Sequence, residues 1–562
     1  MPGLFIFAFL LLAGCQQIPP PPVAEPAATP PVPIAEPAPA PAPNLAAVLQ
    51  IDTTPAGTRL LAPGEVRAFY GARQFSPAWQ EAGRPELAVQ LLAAIGDTAV
   101  EGLSPDDYHL RQLATLVPTF DKDSEAAAVE RELLLTDAFL AIAAHYRYGR
   151  LDLRSVLPEW QPRSRNENHT VLLEAALASG DIRTALQRLL PNAAGYLALK
   201  NALRHHRQLA SQGGWPAIPA GNRMEQGDNG GRVALLRQRL AVSGDLAPEQ
   251  AVGDNFDTAL QGAVRRFQAR HGLEKDGVIG EKTLAALNMP VDMRIRQLAA
   301  NLERWRWLPE DLGRRHIMVN IAGFSLTVVE KQRKVMEMSV IAGRPDRPTP
   351  IFSSTIAYLV LNPYWEVPHD IAVKDLLPKV RQDRTYLQRL GIRVLPVNGA
   401  NDTALDSTRI DWQRLDASRF RYRLRQDPGP TNFLGRIKFI FPNPYSVYLH
   451  DTPARELFKQ ESRAFSSGCV RVEKPLDLAA LLLRDTPLGT EQALISALTG
   501  GTRTVHLPTP MPIHLLYWTA WVDDQGASHF RPDLYGHDRL IEDGLKGLTI
   551  PKPLPCISEC AQ

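Results

Sequence analysis

The spacing of apolar residues changes once along this chain. Over residues 45–220 they recur at helical intervals, as in 86–95, where Leu, Val, Ile and Ala share one face. Further on the spacing shortens to two, with Ile317, Val319 and Ile321 on one side of a strand. The pattern predicts a multidomain α+β protein, in which a helical scaffold domain precedes a β-rich domain.

The β-rich domain is expected over residues 315–505. Its further strands are predicted at 335–342, 356–361, 437–441 and 446–450. Residues 371–422 interrupt them with an arginine-rich stretch of helices and loops, so we expect an inserted helical cap over the sheet. Residues 506–562 are expected to form a C-terminal segment, with a strand at 513–522, and a tail.

The N-terminus predicts export and anchoring. Residues 4–13 are an apolar run too short to span a bilayer but of the right length for a signal-peptide core. The run ends in Leu-Ala-Gly-Cys15, which resembles the lipobox of bacterial lipoproteins and implies removal of 1–14 and lipid on Cys15. Gln16 after the cysteine favours the outer membrane, with the protein facing the periplasm. Residues 15–44 then form a tether that is rich in proline and therefore extended.

Length, charge and cysteine content narrow the function classes. A chain of 562 residues is too long for one core and should contain about three or four units. The 62 Lys and Arg residues balance 60 Asp and Glu residues and are interspersed with them, so no nucleic-acid partner is expected. Of the four cysteines, Cys556 and Cys560 could form a disulfide or stay reduced, while Cys469 stands alone.

Residues 226–290 carry a more specific pattern of three short helices separated by glycine turns. Its markers are Val233, Leu236, Leu240, Phe256-Asp257, Ala263-Val264, Phe267-Gln268, His271-Gly272-Leu273, Asp276-Gly277, Gly280, Thr283 and Leu287. The segment resembles the three-helix peptidoglycan-binding domain. The resemblance implies glycan strands as a partner, although such modules also serve as spacers.

Two predicted strands bring reactive side chains to one face of the sheet. In 446–450, Tyr448 and His450 point one way while their neighbours Val447 and Leu449 point to the core. The same alternation pairs Cys469 with Arg471. We therefore expect a thiol, an imidazole and a guanidinium on the exposed side of the sheet.

This set of residues suits a nucleophilic cysteine. A thiol is mostly protonated near neutral pH, so we expect His450 and Arg471 to lower the pKa of Cys469. Gly468 allows close approach of a carbonyl, and the amides of Gly468 and Cys469 are candidate oxyanion donors. Asp451 suggests a triad, but adjacent side chains on a strand diverge, so a backbone carbonyl near Asp451 is the favoured partner of the imidazole.

These residues resemble the L,D-transpeptidase catalytic domain, whose signature places a His upstream of Ser-x-Gly-Cys-x-Arg. Segments 463–472, 362–368 and 425–435 are closest to the large multidomain Gram-negative members. The resemblance implies that Cys469 attacks a tetrapeptide stem, releases D-Ala and forms a thioester. A diaminopimelate amine of a neighbouring stem then resolves it into a 3-3 cross-link, with His450 moving the protons.

Further roles follow from the same resemblance. Arg471 would hold the thiol environment or a substrate carboxylate, Ser467 and Tyr448 would neighbour the substrate, and Trp365 would form a wall. A D,D-carboxypeptidase that trims pentapeptides is the expected functional partner. The pattern shows no motif for a metal site or a phosphate-binding loop, so no metal or cofactor is expected.

Two alternatives stay open at this point. The thioester could pass to water or to a free D-amino acid, which would make the protein an L,D-carboxypeptidase or an exchange enzyme. The protein could also be a non-catalytic, lipid-anchored peptidoglycan-binding protein, although its complete set of Cys469, His450 and Arg471 argues against that.

Overall fold

The computed structural model describes residues 45–80, 84–119, 124–152, 167–397 and 403–547, all in one compact unit. The predictions for the signal peptide, Cys15, the tether and the two tail cysteines lie outside the described residues. Among the described helices, none is both long and apolar enough to cross a membrane.

The N-terminal region is helical, as predicted, and is organised around one buried helix. Its helices are Leu45–Val48, Pro63–Ala72, Arg84–Asp97, Leu110–Leu116, Glu125–Tyr148, His169–Ser179, Ile182–Gln187 and Ala194–Ser211. The central helix, Glu125–Tyr148, is buried on all sides, and its acidic side chains bind loop amides. Asp137 accepts hydrogen bonds from the Leu61 and Ala62 amides, at 2.8 and 2.7 Å. These buried carboxylates fix the preceding loops to the core.

The second module has three helices around its own core, at Gly231–Val242, Thr258–His271 and Glu281–Leu287. Its marker residues have structural roles. The Gln268 side chain donates a hydrogen bond to Asp276 Oδ1 at 2.7 Å and accepts one from the Gly277 amide at 2.9 Å. Gly277 has a φ of +78°, which favours glycine. The Phe-Gln and Asp-Gly markers therefore close the turn between the last two helices.

A helix that the sequence analysis left unassigned, Val291–Arg306, joins this module to the sheet. It packs against Ala194–Ser211 on one side. Buried Asn301 ties it to the C-terminal segment by donating to Thr519 Oγ1 at 2.8 Å. The helix therefore connects the scaffold, the three-helix module and the C-terminal β-rich domain.

The β-rich domain contains a nine-stranded sheet that closes on itself. The nine strands are β1 (Arg315–Asn320), β2 (Ser325–Glu330), β3 (Arg333–Gly343), β4 (Phe352–Leu361), β8 (Ile437–Ile440), β9 (Leu449–His450), β10 (Ala464–Ser466), β11 (Val470–Val472) and β12 (Arg503–Leu516). Their order in the sheet is β10-β3-β11-β9-β8-β4-β12-β1-β2, and β2 also pairs with β3. Two helices, Pro475–Leu482 and Glu491–Ala497, follow β11. Closure leaves few free sheet edges and places β9 beside β11 in the sheet interior.

The boundary expected between residues 505 and 506 falls inside β12. This strand pairs with β4 on one side and β1 on the other, so the segment expected to follow the domain completes its sheet. A second expected strand, 513–522, divides into β12 and β13 (Ala520–Val522), which pairs with β14 (Ser528–Phe530). The helix His537–Lys546 ends the described chain.

The inserted cap is present, but it is not only helical. It contains the helices His369–Ile371, Leu377–Gln382 and Tyr386–Arg389 and a sheet of three strands, β5 (Trp365–Glu366), β7 (Tyr422–Gln426) and β6 (Ile392–Pro396). Its core also includes Trp365 and Leu434, which lie outside 371–422. Arginines interrupt the apolar pattern of β6 and β7, so the sequence analysis did not recognise these two strands. With this difference, the predicted multidomain α+β architecture is confirmed.

Candidate active site

The predicted face of reactive side chains forms where β9 meets β11. The two strands are parallel, with Val470 opposite Leu449 and Arg471 opposite His450. Extending this register by one residue places Cys469 beside Tyr448, and the Val470 amide donates to the Tyr448 carbonyl at 3.1 Å. Leu449, Val470 and Val472, whose side chains point to the other face, are fully buried in the sheet core, as predicted. Cys469 and His450 are therefore diagonal neighbours on one face of adjacent strands.

The strand that carries His450 is shorter than predicted. Residues 446–450 were expected to be extended, but β9 covers only Leu449–His450. Ser446 has a φ of +56°, a left-handed conformation that interrupts a strand. This turn aims the Ser446 carbonyl at Cys469 Sγ, 3.9 Å away. A left-handed serine beside the nucleophile is a local strain that the surrounding structure must support.

The loop of residues 466–469, the predicted nucleophile loop, holds Cys469 in place. Ser466 Oγ accepts a hydrogen bond from the Gly468 amide at 3.2 Å and donates one to the Cys469 carbonyl. Thr349 Oγ1 donates to the Gly468 carbonyl at 2.8 Å. Gly468 itself has a φ of +111°, which few residues other than glycine adopt. Gly468 therefore shapes the loop, but its amide is already bonded, which argues against the oxyanion role expected for it.

The amide of Cys469 stays a candidate oxyanion donor. It donates to no acceptor among the described residues. Because it lies on the nucleophile itself, it is near any carbonyl that the thiol attacks.

The resting thiol is neutral, contrary to expectation. Burial raises the pKa of Cys469, and this effect outweighs hydrogen bonds from the Tyr448 amide and hydroxyl and the charges of Lys438 and Arg471, which lower it. Burial also raises the pKa of the Tyr448 hydroxyl, as does its proximity to the thiolate form of Cys469. The expectation of a lowered thiol pKa is therefore wrong for the resting protein.

His450 is also neutral. Burial, with the charge of Arg471 next in importance, lowers its pKa to about 3. Its Nδ1 lies 2.6 Å from the Asp451 carbonyl, so Nδ1 carries the proton and Nε2 is left as the basic nitrogen. The two side chains are therefore both uncharged at rest and do not form a thiolate–imidazolium ion pair.

Asp451 acts through its backbone, as favoured above. Its carboxylate turns away from the imidazole, accepting hydrogen bonds from the Arg436 amide at 2.8 Å and the Thr452 amide at 2.7 Å. A Cβ at Gly435 would collide with this carboxylate, so the two residues are packed closely. Asp451 therefore positions His450 through its carbonyl and the preceding turn through its side chain.

Two cations flank the thiol. Lys438, opposite His450 on β8, places Nζ 3.8 Å from the centre of the Tyr448 ring. The sequence analysis missed this lysine, because an isolated Lys in a predicted strand carries no signal. Arg471 has a buried Nε with no hydrogen-bond partner among the described residues. An unpaired guanidinium beside the nucleophile can accept a carboxylate.

The cap reaches the nucleophile loop through Arg347. This arginine, on the connection between β3 and β4, forms an ion pair with Asp375 of the cap at 3.0 Å. Its other terminal nitrogen donates to Ser467 Oγ at 3.1 Å. Ser467, predicted to neighbour the substrate, is thus the point where cap and loop meet.

The cap also changes the exposure of the predicted face. Only 5% of His450 is exposed, and Tyr448 beside it packs against the cap core. Trp365, the expected wall residue, is 8% exposed and packs on Phe433 with ring centres 4.9 Å apart. Its main contacts are thus within the cap. No group of three or more potential metal ligands occurs among the residues that the structure describes.

Comparisons with known proteins assign three parts of the chain. Residues 314–491 match the family profile of the L,D-transpeptidase catalytic domain, residues 229–287 that of a peptidoglycan-binding domain, and residues 64–203 that of a scaffold domain. A curated relative from Haemophilus influenzae, named "Putative L,D-transpeptidase", is 36% identical over 248 residues. That match covers 44% of this chain, and the chain spans about half, 49%, of the relative's length.

Solved structures of similar proteins include two further L,D-transpeptidases. The crystal structure from Xylanimonas cellulosilytica is 17% identical, covers 53% of this chain and 99% of that chain, and has a TM-score of 0.17. The one from Stackebrandtia nassauensis is 14% identical, covers 54% of this chain and 96% of that chain, and has a TM-score of 0.21. At these scores the two likenesses add nothing to the site geometry.

Proposed function

This chain carries an L,D-transpeptidase catalytic domain beside a peptidoglycan-binding domain, and from this premise we propose that it forms 3-3 cross-links between peptidoglycan stem peptides. The observation that supports this most is the pairing of β9 with β11, which sets Cys469 diagonal to His450. The donor is a tetrapeptide stem, and the acceptor is the side-chain amine of diaminopimelate on a second stem.

The first step forms a thioester on Cys469. Nε2 of His450 takes the thiol proton as Sγ attacks the carbonyl between the third residue and the terminal D-Ala. The Cys469 amide stabilises the oxyanion that develops. The carbon–nitrogen bond then breaks, and His450 returns the proton to the amine of the departing D-Ala.

The second step transfers the acyl group. The acceptor amine attacks the thioester while His450 removes its proton, the carbon–sulfur bond breaks, and the proton returns to Sγ. The unpaired Arg471 guanidinium supports binding of a stem-peptide carboxylate at this site. The cap limits water around His450, which favours an amine over hydrolysis as the fate of the thioester.

The test incubates the purified protein with tetrapeptide muropeptides and measures products by mass. Cross-linked dimers are expected, with none from Cys469→Ala. Dimers that persist in that variant would refute the assignment. Tripeptides or exchanged stems without dimers would indicate the carboxypeptidase or exchange reaction. Intact mass after carbapenem exposure checks the nucleophile independently, since a single adduct lost in Cys469→Ala identifies the acylated sulfur.

The cellular setting is part of the proposal. We place the protein in the periplasm, held at the outer membrane by lipid on Cys15, and supplied with tetrapeptides by a D,D-carboxypeptidase. Membrane fractionation tests this anchor: Cys15→Ser should move the protein to the soluble fraction. The lipid anchor would be contradicted if the native protein and Cys15→Ser were found in the membrane fraction in equal proportion.

A further inference from the structure

A polar cavity lies where the three-helix module meets the scaffold and the C-terminal hairpin, outside the site around Cys469. Its volume is about 310 Å³. The module contributes Arg239 and Arg270, the joining helix contributes Arg294, and the β13–β14 turn and Phe530 close one side. This volume is in the range of sites for small ligands.

The cavity holds more positive than negative charge. Arg270 is compensated, since its Nε donates to Asp245 Oδ1 at 2.7 Å. Arg239 and Arg294 form no ion pair with any described residue. With one carboxylate for three guanidinium groups, the lining carries two uncompensated positive charges.

Both uncompensated arginines are nearly buried. Arg239 is 2% exposed and Arg294 is 7% exposed. Arg239 Nε donates to the Leu287 carbonyl at 2.8 Å, but its buried Nη1 has no hydrogen-bond partner. An unpaired donor of a buried charged group is costly, and such groups are normally paired.

Aromatic rings hold the two guanidinium groups in place. Arg239 lies 4.0 Å from the centre of the Trp215 ring, and Arg294 lies 4.4 Å from that of Phe530. Burial, followed by the charge of Arg270, lowers the pKa of each to about 9, so both remain charged at neutral pH. Burial lowers the pKa of His206 and His271, so these two histidines of the lining add no charge near neutral pH.

We propose that this cavity binds an oxyanion of the carboxylate or phosphate class, held by Arg239 and Arg294. Planar guanidinium groups pair with the two oxygens of such an anion, and the anion would satisfy the free Nη1. If the proposed function is correct, a carboxylate of peptidoglycan is one source of the anion. Inorganic phosphate is the other source.

The test measures thermal unfolding of the full chain with sodium phosphate or N-acetylmuramate against sodium chloride at equal ionic strength. A saturable rise in Tm of about 2–4 °C is expected at concentrations well above the dissociation constant. The rise should be lost in Arg239→Gln and Arg294→Gln. It should persist in Arg265→Gln, which removes the same charge from an exposed position on the same module.

The outcomes separate the sources and the two proposals. A response to N-acetylmuramate alone identifies the carboxylate source, and a response to phosphate alone identifies the phosphate source. Equal responses in the native protein and both cavity variants would overturn the site. If Arg239→Gln fails to fold, the Arg294→Gln variant and a calorimetric titration of the unmodified protein test the proposal instead. The proposal is overturned if neither phosphate nor N-acetylmuramate gives a saturable heat of binding. Because neither readout requires transpeptidation, failure of the proposed function leaves this test intact.

Discussion

Arg347 and Asp375 form an ion pair, with 3.0 Å between Nη2 and Oδ1, that joins the nucleophile loop to the cap. Arg347 also holds Ser467, two residues before Cys469, at 3.1 Å. The hydrogen bond to Asp375 raises the pKa of the Arg347 guanidinium. The position of the cap is thus linked to the position of the loop that carries Cys469.

Asp375→Asn should weaken this link. The pair is partly exposed and worth about 0.5–1 kcal/mol, so we expect a two- to fivefold fall in kcat/KM with little change in Tm. Steady-state cross-linking kinetics measure the change. Asp383→Asn is the matched control, since Asp383 pairs with Arg389 on the outside of the cap. Equal losses in both variants would contradict a specific link to the nucleophile.

The pH dependence of thiol alkylation should show a neutral resting thiol. Because burial raises the pKa of Cys469, thiolate accumulates only above its usual range of about 8.5. The pKa of His450, about 3, predicts no inflection from the imidazole between pH 5 and 8. Iodoacetamide rates measured from pH 5 to 10 should therefore rise throughout. A plateau reached below pH 7 would instead indicate a thiolate–imidazolium pair.

Lys438→Met should raise the thiol pKa further. The lysine charge favours the thiolate, and methionine keeps the apolar stem that packs by Tyr448 while removing that charge. We expect the alkylation curve to shift to higher pH and carbapenem acylation to slow several-fold. Lys379→Met, which removes a lysine 5.6 Å from the Tyr386 ring in the cap, should leave the alkylation curve and the rate of carbapenem acylation unchanged.

Gly468→Ala should impair activity more than folding. A Cβ there has room, with the Pro348 carbonyl oxygen 3.7 Å away, so the cost is backbone strain of about 1–2 kcal/mol. Relief of that strain would turn the Cys469 amide and thiol, and we expect a loss of more than tenfold in kcat. Gly57→Ala has a similar conformation, with φ +84°, in open space far from the site. It should lose comparable stability but no activity.

Local patterns were enough to predict the reactive face. Alternation in a strand depends only on neighbouring residues, and so the burial of Val470 and Leu449 and the grouping of Cys469 with His450 followed from the sequence. The Asp451 carbonyl was likewise predictable, because adjacent side chains diverge.

Features that depend on distant contacts were not predictable. Burial sets the sign of the Cys469 pKa shift and lowers the pKa of His450, and burial depends on packing between segments that are distant in the sequence. Helix Val291–Arg306 buries charged residues such as Glu303 and Arg306, which form an ion pair at 2.8 Å. Its sequence is therefore as polar as that of an exposed helix, although these side chains are buried. The sequence analysis missed strands β6 and β7 because arginines interrupt their apolar pattern.

Strand β12 lies between β1 and β4, although more than a hundred and forty residues separate it from either of them. Until it arrives, both neighbours have an open edge, and the sheet under Cys469 cannot close. Tyr535, which lies further along the chain than β12, donates a hydrogen bond to the Gly343 carbonyl at 2.7 Å and accepts one from the Thr349 amide at 3.3 Å. The sheet that carries Cys469 therefore closes through a strand more than thirty residues further along the chain, so cutting the chain before β12 should disturb the surroundings of Cys469 even though Cys469 and His450 would both remain.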